Sequence, residues 1–484
     1  MIDRRAFITA TATALAAPVF LTQARAVTPR LRRDVQSLDP SDPFFAKYAD
    51  AVAKMHALPG SDPRSWRNQA LIHINHCPHG MQSFVHWHRH YILNFELICG
   101  EMIGDPDFAL AYWNWSAKNG IIPDPFYDVN QLNVQFWKDP SNAQSNNWSP
   151  NPVTTIGTRA LLKGQGLQDD PESGQDFTQE FIDGIKQATR FPIFTGQLEG
   201  SPHNNGHVIT GGANGHMVDG MSPLDPIFWL HHCNIDRIWA EWQTAGNTTP
   251  GFNFNYDNQF VNGTGQPVMA SSASALNFAA MNYTYDTLSG ALVAQQINQL
   301  GLKSIRTTSA QLTAALAPAA AAPEVLGTTA TAQTVKPATV ASFTLAAKDL
   351  RPNLFRERAF LATKAPTVQR VATGTGRILV KLSEVTAPEQ PVPLTCKVFV
   401  NCSYLTPTTK STDPLCAGSF SFFGSHNAMH GHSEFYVDIT GPLHVLFRNG
   451  AIDPEKIQIQ LMAIARDGTA DASFSVGKIE LIST

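Results

Sequence analysis

A dense histidine cluster constrains this chain more than any other feature: residues 73–96 read HINHCPHGMQSFVHWHRHYILNFE, with six histidines in the first eighteen positions. From residue 87 onward, apolar residues recur at steps of three and four, which predicts an amphipathic helix. His88 begins the apolar stripe of that helix. His86 and His90 lie about 200° around the helix from His88, so we expect them outside its inward face.

A second histidine cluster lies more than a hundred residues later, in SPHNNGH at residues 201–207 and in a helical stretch further along. His203 and His207 are four residues apart, so one face of a helix presents both imidazoles. His231 and His232 are neighbours about 100° apart, so only one of them is expected to point at a shared ligand. His232 lies in one stripe with Phe228, Ile235 and Trp239, but spacing alone leaves open which of the two neighbouring histidines is the ligand.

These two clusters together predict a metal site built from imidazoles on separate helices. The sequence offers neither the cysteine quartets of structural zinc nor the Glu-x-x-His pairs of di-iron bundles. Neutral imidazole suits zinc, copper, iron and nickel, so the residues alone leave the metal open. The alternative is that these histidines are scattered core and surface residues.

Two motifs within the clusters carry a family resemblance. The chain resembles the tyrosinase and polyphenol oxidase family of type-3 copper proteins, which also includes catechol oxidases and molluscan haemocyanins. The resemblance covers about residues 30–290. The matching segments are Cys77-Pro-His79, Trp87-His88-Arg89 with Phe95-Glu96, and Asp225-Pro226-x-Phe228-Trp229-x-x-His232-x-x-x-Asp236.

The resemblance implies two copper ions, with O2 as co-substrate, and three histidine ligands for each ion. Copper A would be held by His73, His79 and His88, and copper B by His203, His207 and His232. The family's first ligand usually lies further upstream of the second, whereas only five residues separate His73 from His79 here. His76 is the alternative first ligand. Gln69-Ala70-x-x-His73 resembles the helix that ends in that first ligand.

Three further residues take roles from the resemblance. Cys77 would form a thioether with His79, although free cysteine is commonly a small buried apolar residue. Glu199 would hold a water near copper B, with Asn204 helping to orient it. A phenol has a pKa near 10 and must lose its proton to bind a metal, which a carboxylate and water can accept. The alternative for Glu199 is a charge at a helix N-terminus.

The expected architecture is a mainly α catalytic domain, a four-helix bundle around the dinuclear copper site, followed by a small all-β C-terminal sandwich. We predict an export signal of the twin-arginine type at 1–26, the catalytic domain at 27–300, an Ala/Thr/Pro-rich linker at 301–371 and the β sandwich at 372–484. The last region resembles the C-terminal domain of plant polyphenol oxidases. In that family this domain often shields the copper site and leaves the enzyme latent.

Composition narrows the partners. With 15% charged residues and a net charge of −4, the chain has no excess of positive charge that would favour nucleic acid as a binding partner. We also expect no stable membrane insertion of the exported protein. The resemblance implies small phenols, such as tyrosine and catechols, as substrates and allows a copper chaperone as partner. Copper could alternatively be ferried by a second set of residues, although a solvated loop and core cysteines explain them as well: His426, Met429, His430 and His432 with Cys396, Cys402 and Cys416.

The function expected from the resemblance is that of a tyrosinase, which hydroxylates monophenols at the ortho position and oxidises o-diphenols to o-quinones. A catechol oxidase without the first activity and a haemocyanin-like O2-binding protein are the alternatives within the family. A zinc hydrolase is the alternative outside it.

Overall fold

A computed structural model describes residues 28–138, 159–288, 322–354, 357–361, 371–388, 392–423, 433–466 and 472–484. The predicted export signal and the proposed copper-ferrying residues from His426 to His432 lie outside these ranges. Among the described residues, no helix is both long enough and apolar enough to cross a bilayer.

The domain predicted to be catalytic is mainly helical, and four of its helices surround the two histidine clusters. The helices are α1 Pro43–Ala57, α2 Trp66–His76, α3 Phe84–Ile103, α4 Pro125–Asp128, α5 Val134–Lys138, α6 Gln179–Lys186, α7 Phe191–Leu198, α8 Asn204–Gly211 and α9 Ile227–Thr244. Histidines of the clusters lie on α2, α3, α8 and α9. The predicted helical bundle is confirmed.

Local sequence sets the ends of these helices. The side chain of Ser65 accepts a hydrogen bond from the Asn68 amide and caps the N-terminus of α2. Gly104 adopts φ 68° and ends α3, a left-handed conformation that glycine takes without steric cost. Between α7 and α8, residues Glu199–His203 form a π-helical turn that contains Pro202. Proline has no N–H to continue the α-helical ladder, which explains the wider turn.

A buried ionic network ties the start of the domain to its end. Strand β1, Arg30–Arg32, pairs in parallel with β2, Tyr283–Tyr285. Arg32 donates to Asp236 at 3.2 Å, and Arg89 donates to the same carboxylate at 2.5 Å. The hydroxyls of both tyrosines of β2 also donate to Asp236. Arg89 and Asp236 are therefore structural ion-pair residues.

Two antiparallel sheets form the core of the C-terminal domain. Their strands are β3 Glu324–Thr329, β4 Gln333–Val335, β5 Val340–Leu345, β8 Ile378–Thr386, β9 Leu394–Val400, β10 Cys416–Ser421, β11 Ser433–Asp438, β12 Ile457–Ala465 and β13 Phe474–Ser483. One sheet has the order β10-β9-β12-β5, and the other has the order β11-β8-β13-β3, with β4 also paired to β13. Residues of both sheets share one hydrophobic core, so the predicted all-β sandwich is confirmed.

The described part of this domain also contains two further strands and two helices. Strands β6, Glu357–Leu361, and β7, Val371–Thr375, form a separate antiparallel pair. Helices α10, Leu350–Leu354, and α11, Thr440–Arg448, lie between strands.

The β sandwich begins earlier in the chain than the predicted boundary at residue 372. Strand β3 pairs with β13 and strand β5 pairs with β12, although both strands fall within the predicted linker of 301–371. The Ala/Thr-rich composition of this stretch suggested a segment without a core. The alternating buried and exposed pattern of β5 shows that it contributes one face to the sandwich.

Candidate metal centre

The first histidine group brings together His73 from α2, His88 from α3 and His79 from the loop between these helices. With Cys77 they form a fully buried set whose ligand atoms all lie within 4.8 Å of one another. The ring centroids of His73 and His79 are 5.2 Å apart, and those of His79 and His88 are 5.5 Å apart. These are the three residues expected to hold copper A.

The structure places His73 and His76 in different environments. His73 lies within the first group, whereas His76 is exposed at the last residue of α2. The two residues are three positions apart on one helix, so sequence spacing alone could not separate them. Burial favours His73 as the metal-facing residue.

The second group contains His203, His207, His231 and His232, again fully buried and with ligand atoms within 4.8 Å. His203 and His207 have ring centroids 4.6 Å apart, as expected for residues four apart on a helix. The Nε2 atoms of His207 and His232 are 3.4 Å apart.

His231 and His232 differ in what they face. The ring of His232 stacks on His88 of the first group, with centroids 4.2 Å apart and planes at 10°. His231 instead lies 4.9 Å from the ring of Trp115 and packs closely against α8 at Gly206. A Cβ at position 206 would come within 2.6 Å of the His231 ring, so glycine is needed for this approach. The geometry therefore favours His232 over His231 as the residue that would bind the metal ion.

The remaining histidines of the first stretch lie outside the two groups. His86 is buried among aromatic rings, including Phe191 and Trp239. His90 is also buried, and its Nε2 lies 3.0 Å from the carbonyl oxygen of Ser271. Both are excluded from the inward face as predicted, but neither is a surface residue.

Hydrogen bonds at the Nδ1 atoms orient the imidazoles of both groups. The Nδ1 atoms of His73, His88 and His207 lie 2.8, 2.9 and 2.7 Å from backbone carbonyl oxygens. The Nδ1 of His203 lies 2.8 Å from Oδ1 of Asn204. An Nδ1–H that donates to such an oxygen leaves the Nε2 lone pair as the coordinating atom, the usual arrangement of histidine ligands.

The donor atoms fit a metal ion. The Nε2 atoms of His88 and His203 are buried and have no hydrogen-bond partner among the described residues. Burial lowers the pKa of His203 to about 3 and lowers the pKa of His88, His207 and His232 well below the ordinary value. The imidazoles are therefore neutral near pH 7, the form that binds metals. Neutral nitrogen donors of this kind suit copper.

Cys77 lies directly against the second ligand of the first group. Its Sγ is 2.8 Å from Nδ1 and 3.8 Å from Nε2 of His79. Burial raises the pKa of this thiol well above its ordinary value. The sulfur of Cys77 therefore lies beside the ring of His79, with which the family resemblance predicts a thioether bond.

Glu199 and Asn204 flank the second group. The backbone N–H of Gly80, next to His79, donates to Oε1 of Glu199 at 2.6 Å. Burial raises the pKa of the Glu199 carboxyl to about 8. Asn204 contacts His203 through Oδ1 and donates through Nδ2 to the carbonyl oxygen of Ser421 at 2.8 Å. Glu199 thus links the π-helical turn that contains His203 to the loop that contains His79, and Asn204 contacts the C-terminal domain.

Phe423 of the C-terminal domain reaches the histidines of both groups. Its ring stacks on His207, with centroids 3.6 Å apart and planes at 11°, and lies 4.9 Å from the ring of His79. The rings of His73 and His203 are 6.1 and 5.6 Å away. Sequence reasoning did not identify this residue. The local signal is a phenylalanine-rich segment, with Phe420 in β10 and Phe422 and Phe423 directly after it.

Comparison with known families supports this assignment. The family model of the common central domain of tyrosinase matches residues 47–245, and a model of a domain of unknown function matches residues 322–484.

Curated relatives match the catalytic region. Aureusidin synthase of Antirrhinum majus is 30% identical over 256 residues, covering 45% of this chain and 44% of that protein. A polyphenol oxidase of Spinacia oleracea is 27% identical over 304 residues, covering 53% of this chain and 47% of that protein. A tyrosinase of Hahella sp. is 28% identical over 299 residues, covering 53% of this chain and 63% of that protein. The alignments thus span about half the length of these relatives.

Solved structures match both domains. A latent aurone synthase superposes with a TM-score of 0.58 at 18% identity, covering 94% of this chain and 90% of that chain. A latent apple tyrosinase gives a TM-score of 0.52 at 20% identity, covering 94% and 97% of the two chains. At this identity the likeness establishes the fold. Together, the matched central domain, the curated relatives and the paired histidine groups identify residues 47–245 as a central domain of the tyrosinase type, similar to those of polyphenol oxidases.

Proposed function

We propose that this protein is a latent phenol oxidase that holds two copper ions and uses O2 to convert phenols to o-quinones. His73, His79 and His88 would hold one ion, and His203, His207 and His232 the other. The bound metals would supply the activation of O2 and the redox step. The observation that carries the proposal is the pair of buried imidazole groups facing each other across the stacked rings of His88 and His232.

The protein's own residues would position and deprotonate the phenol. The ring of Phe423 stacks on the imidazole of His207. A phenol that replaced this side chain would stack on the same imidazole. The carboxylate of Glu199 would accept the phenol proton, either directly or through a water. Its pKa of about 8 is closer to that of a phenol than an ordinary carboxyl pKa is, which favours proton transfer.

The C-terminal domain would keep the enzyme latent. While Phe423 lies on His207, no phenol ring can occupy that position. The carbonyl of Ser421 also engages Asn204, which is expected to help orient the water beside Glu199. Opening of the domain would release both constraints.

Ortho-hydroxylation of monophenols is the finer part of the proposal, supported by Asn204 at the position after His203. Oxygen consumption with tyrosine and with catechol, before and after cleavage between the two domains, tests it. A tyrosinase consumes O2 with both substrates after cleavage. Consumption with catechol alone identifies a catechol oxidase.

One observation favours a haemocyanin-like O2-binding protein as the second candidate. The ring of Phe423 blocks phenols but leaves the imidazole nitrogens of both groups in place. Reversible O2 binding without quinone formation, even after cleavage, would identify that function.

Two further expectations belong to this proposal. A thioether between Cys77 Sγ and a ring carbon of His79 would replace one S–H and one C–H bond, with O2, the proposed co-substrate, accepting the two hydrogens. The peptide that contains both residues would then be lighter by two hydrogens, and Cys77→Ser would abolish that difference in a mass spectrum. Residues 1–26 would direct export in the folded state. Sequencing the N-terminus of the mature protein tests whether this segment is removed.

A further inference from the structure

An acidic turn of the catalytic domain, residues 170–176, docks on basic residues of the C-terminal domain. Asp170 receives both terminal nitrogens of the Arg466 guanidinium, one of them at 2.8 Å. Nε of Arg466 donates to Oγ1 of Thr395 at 3.1 Å, and this hydrogen bond fixes the orientation of the guanidinium group. Although burial alone would raise the pKa of Asp170, hydrogen bonding and the positive charge of Arg466 lower it overall. The pair is therefore a bidentate ionic contact between domains.

A second ionic contact lies beside the first. Lys397 of β9 pairs with Glu172, and the lysine side chain is fully buried. Its Nζ also donates to the carbonyl of Thr409 at 2.5 Å. Between the two acidic residues, the carbonyl of Pro171 accepts from the amide and hydroxyl of Ser411 at 3.1 and 3.0 Å. Lys397 depends on the acidic turn for the countercharge of its buried ammonium group.

The turn ends on the strand that leads to the metal centre. The hydroxyl of Ser419 donates to the buried carboxyl of Asp176 at 2.5 Å. Two residues further along, Ser421 contacts Asn204, and two residues beyond that Phe423 stacks on His207. Movement of the acidic turn away from its partners would therefore release the segment that covers the histidines.

We propose that the acidic turn is an ionic latch whose pairs with Arg466 and Lys397 hold the C-terminal domain closed over the metal centre. This inference rests on the proposed latent oxidase and adds the residues that control its opening. The latch joins opposite charges across a domain boundary, so reversing one charge opposes docking. Reversing its partner as well restores attraction.

The test uses the full copper-loaded chain and two readouts, the radius of gyration from small-angle X-ray scattering and O2 consumption with catechol. Arg466→Glu is expected to shift the docking equilibrium toward the open form by roughly tenfold or more, with a larger radius and higher activity. The charge swap Asp170→Arg with Arg466→Glu is expected to return both values toward those of the wild type. Glu172→Lys with Lys397→Glu is an independent swap if Arg466→Glu does not fold.

Arg377→Glu is the matched control. Arg377 pairs with Asp438 of its own domain at 2.6 Å, so its reversal should leave the radius unchanged. A compact, latent Arg466→Glu protein overturns the latch, and so does a swap that stays open. Phe423→Ala separates the two proposals: activation by this variant alone supports latency without the latch. If Arg466→Glu has a larger radius but neither Arg466→Glu nor Phe423→Ala gains activity, the result supports the latch. The same result contradicts shielding of the metal centre by the C-terminal domain.

Discussion

The ring of Phe423 lies parallel to the imidazole of His207, with centroids 3.6 Å apart and planes at 11°. The two residues belong to different domains and are more than two hundred positions apart in the chain. Under the proposed function, this stack places an aromatic side chain of the protein where a phenol would bind. Access to the metal centre would then depend on the docking of the C-terminal domain.

Replacing Phe423 by alanine should raise the activity of the full-length protein. A stacked aromatic pair contributes about 0.5–1.5 kcal/mol beyond the burial of its area, so the apparent KM for catechol should fall by up to about tenfold. Steady-state O2 consumption measures this change. Tyr404→Ala, which removes an exposed aromatic ring of the same domain, is the control and should leave KM unchanged. Equal kinetics of all three proteins would contradict the shielding role.

Replacing Glu199 by glutamine in the Phe423→Ala background should lower kcat/KM for phenols by roughly a hundredfold or more. Burial raises the Glu199 pKa to about 8, so the ionised base becomes more abundant as pH rises toward that value. Bound cations would lower the pKa of Glu199 and so move the rise in rate to lower pH. The rate profile of the parent should therefore rise with pH on the acid side, and Glu199→Gln should lack that rise. Glu180→Gln, at an exposed glutamate, should behave as the parent; an unchanged profile in Glu199→Gln would refute the assignment.

Replacing Asp236 by asparagine should destabilise the catalytic domain by about 3–5 kcal/mol, the usual cost of removing one partner of a buried ion pair. Arg32 and Arg89 would then lie buried without the carboxylate that pairs with both. Urea unfolding measures the change in the free energy of unfolding. Asp50→Asn removes an exposed pair with Lys54 and should cost less than about 0.5 kcal/mol. Similar values for the two variants would show that the network is not stabilising.

Asp176→Asn should flatten part of the pH dependence of stability. Burial raises the pKa of Asp176 from 3.8 to about 7, so the folded protein retains a proton that the unfolded chain has lost across this range. This group therefore favours the folded state at low pH, and its contribution is lost as pH rises through about 7. The melting temperature of Asp176→Asn relative to wild type should increase between pH 4 and 7. A constant difference would contradict the assignment.

The sequence predicted the parts of the site that local spacing determines. His203 and His207 lie on one helical face, and His88 points inward while His86 and His90 do not. Spacing could not separate His73 from His76, because the choice depends on which side of α2 faces the other helices.

Contacts between domains were beyond sequence reasoning. Phe423, Ser421 and the acidic turn gain their roles only when the domains dock, and no periodic pattern encodes that contact. The early start of the β sandwich was missed for a related reason. Strands β3 and β5 are specified by pairing with β13 and β12, which lie more than a hundred residues later.

The copper content of the purified protein tests the central claim most directly. The two imidazole groups predict two copper ions per chain in the wild type and in His76→Ala, whose replaced side chain is exposed. His73→Ala is predicted to lose the ion of the first group. One metal ion per wild-type chain, or loss of copper in His76→Ala but not in His73→Ala, would contradict the account.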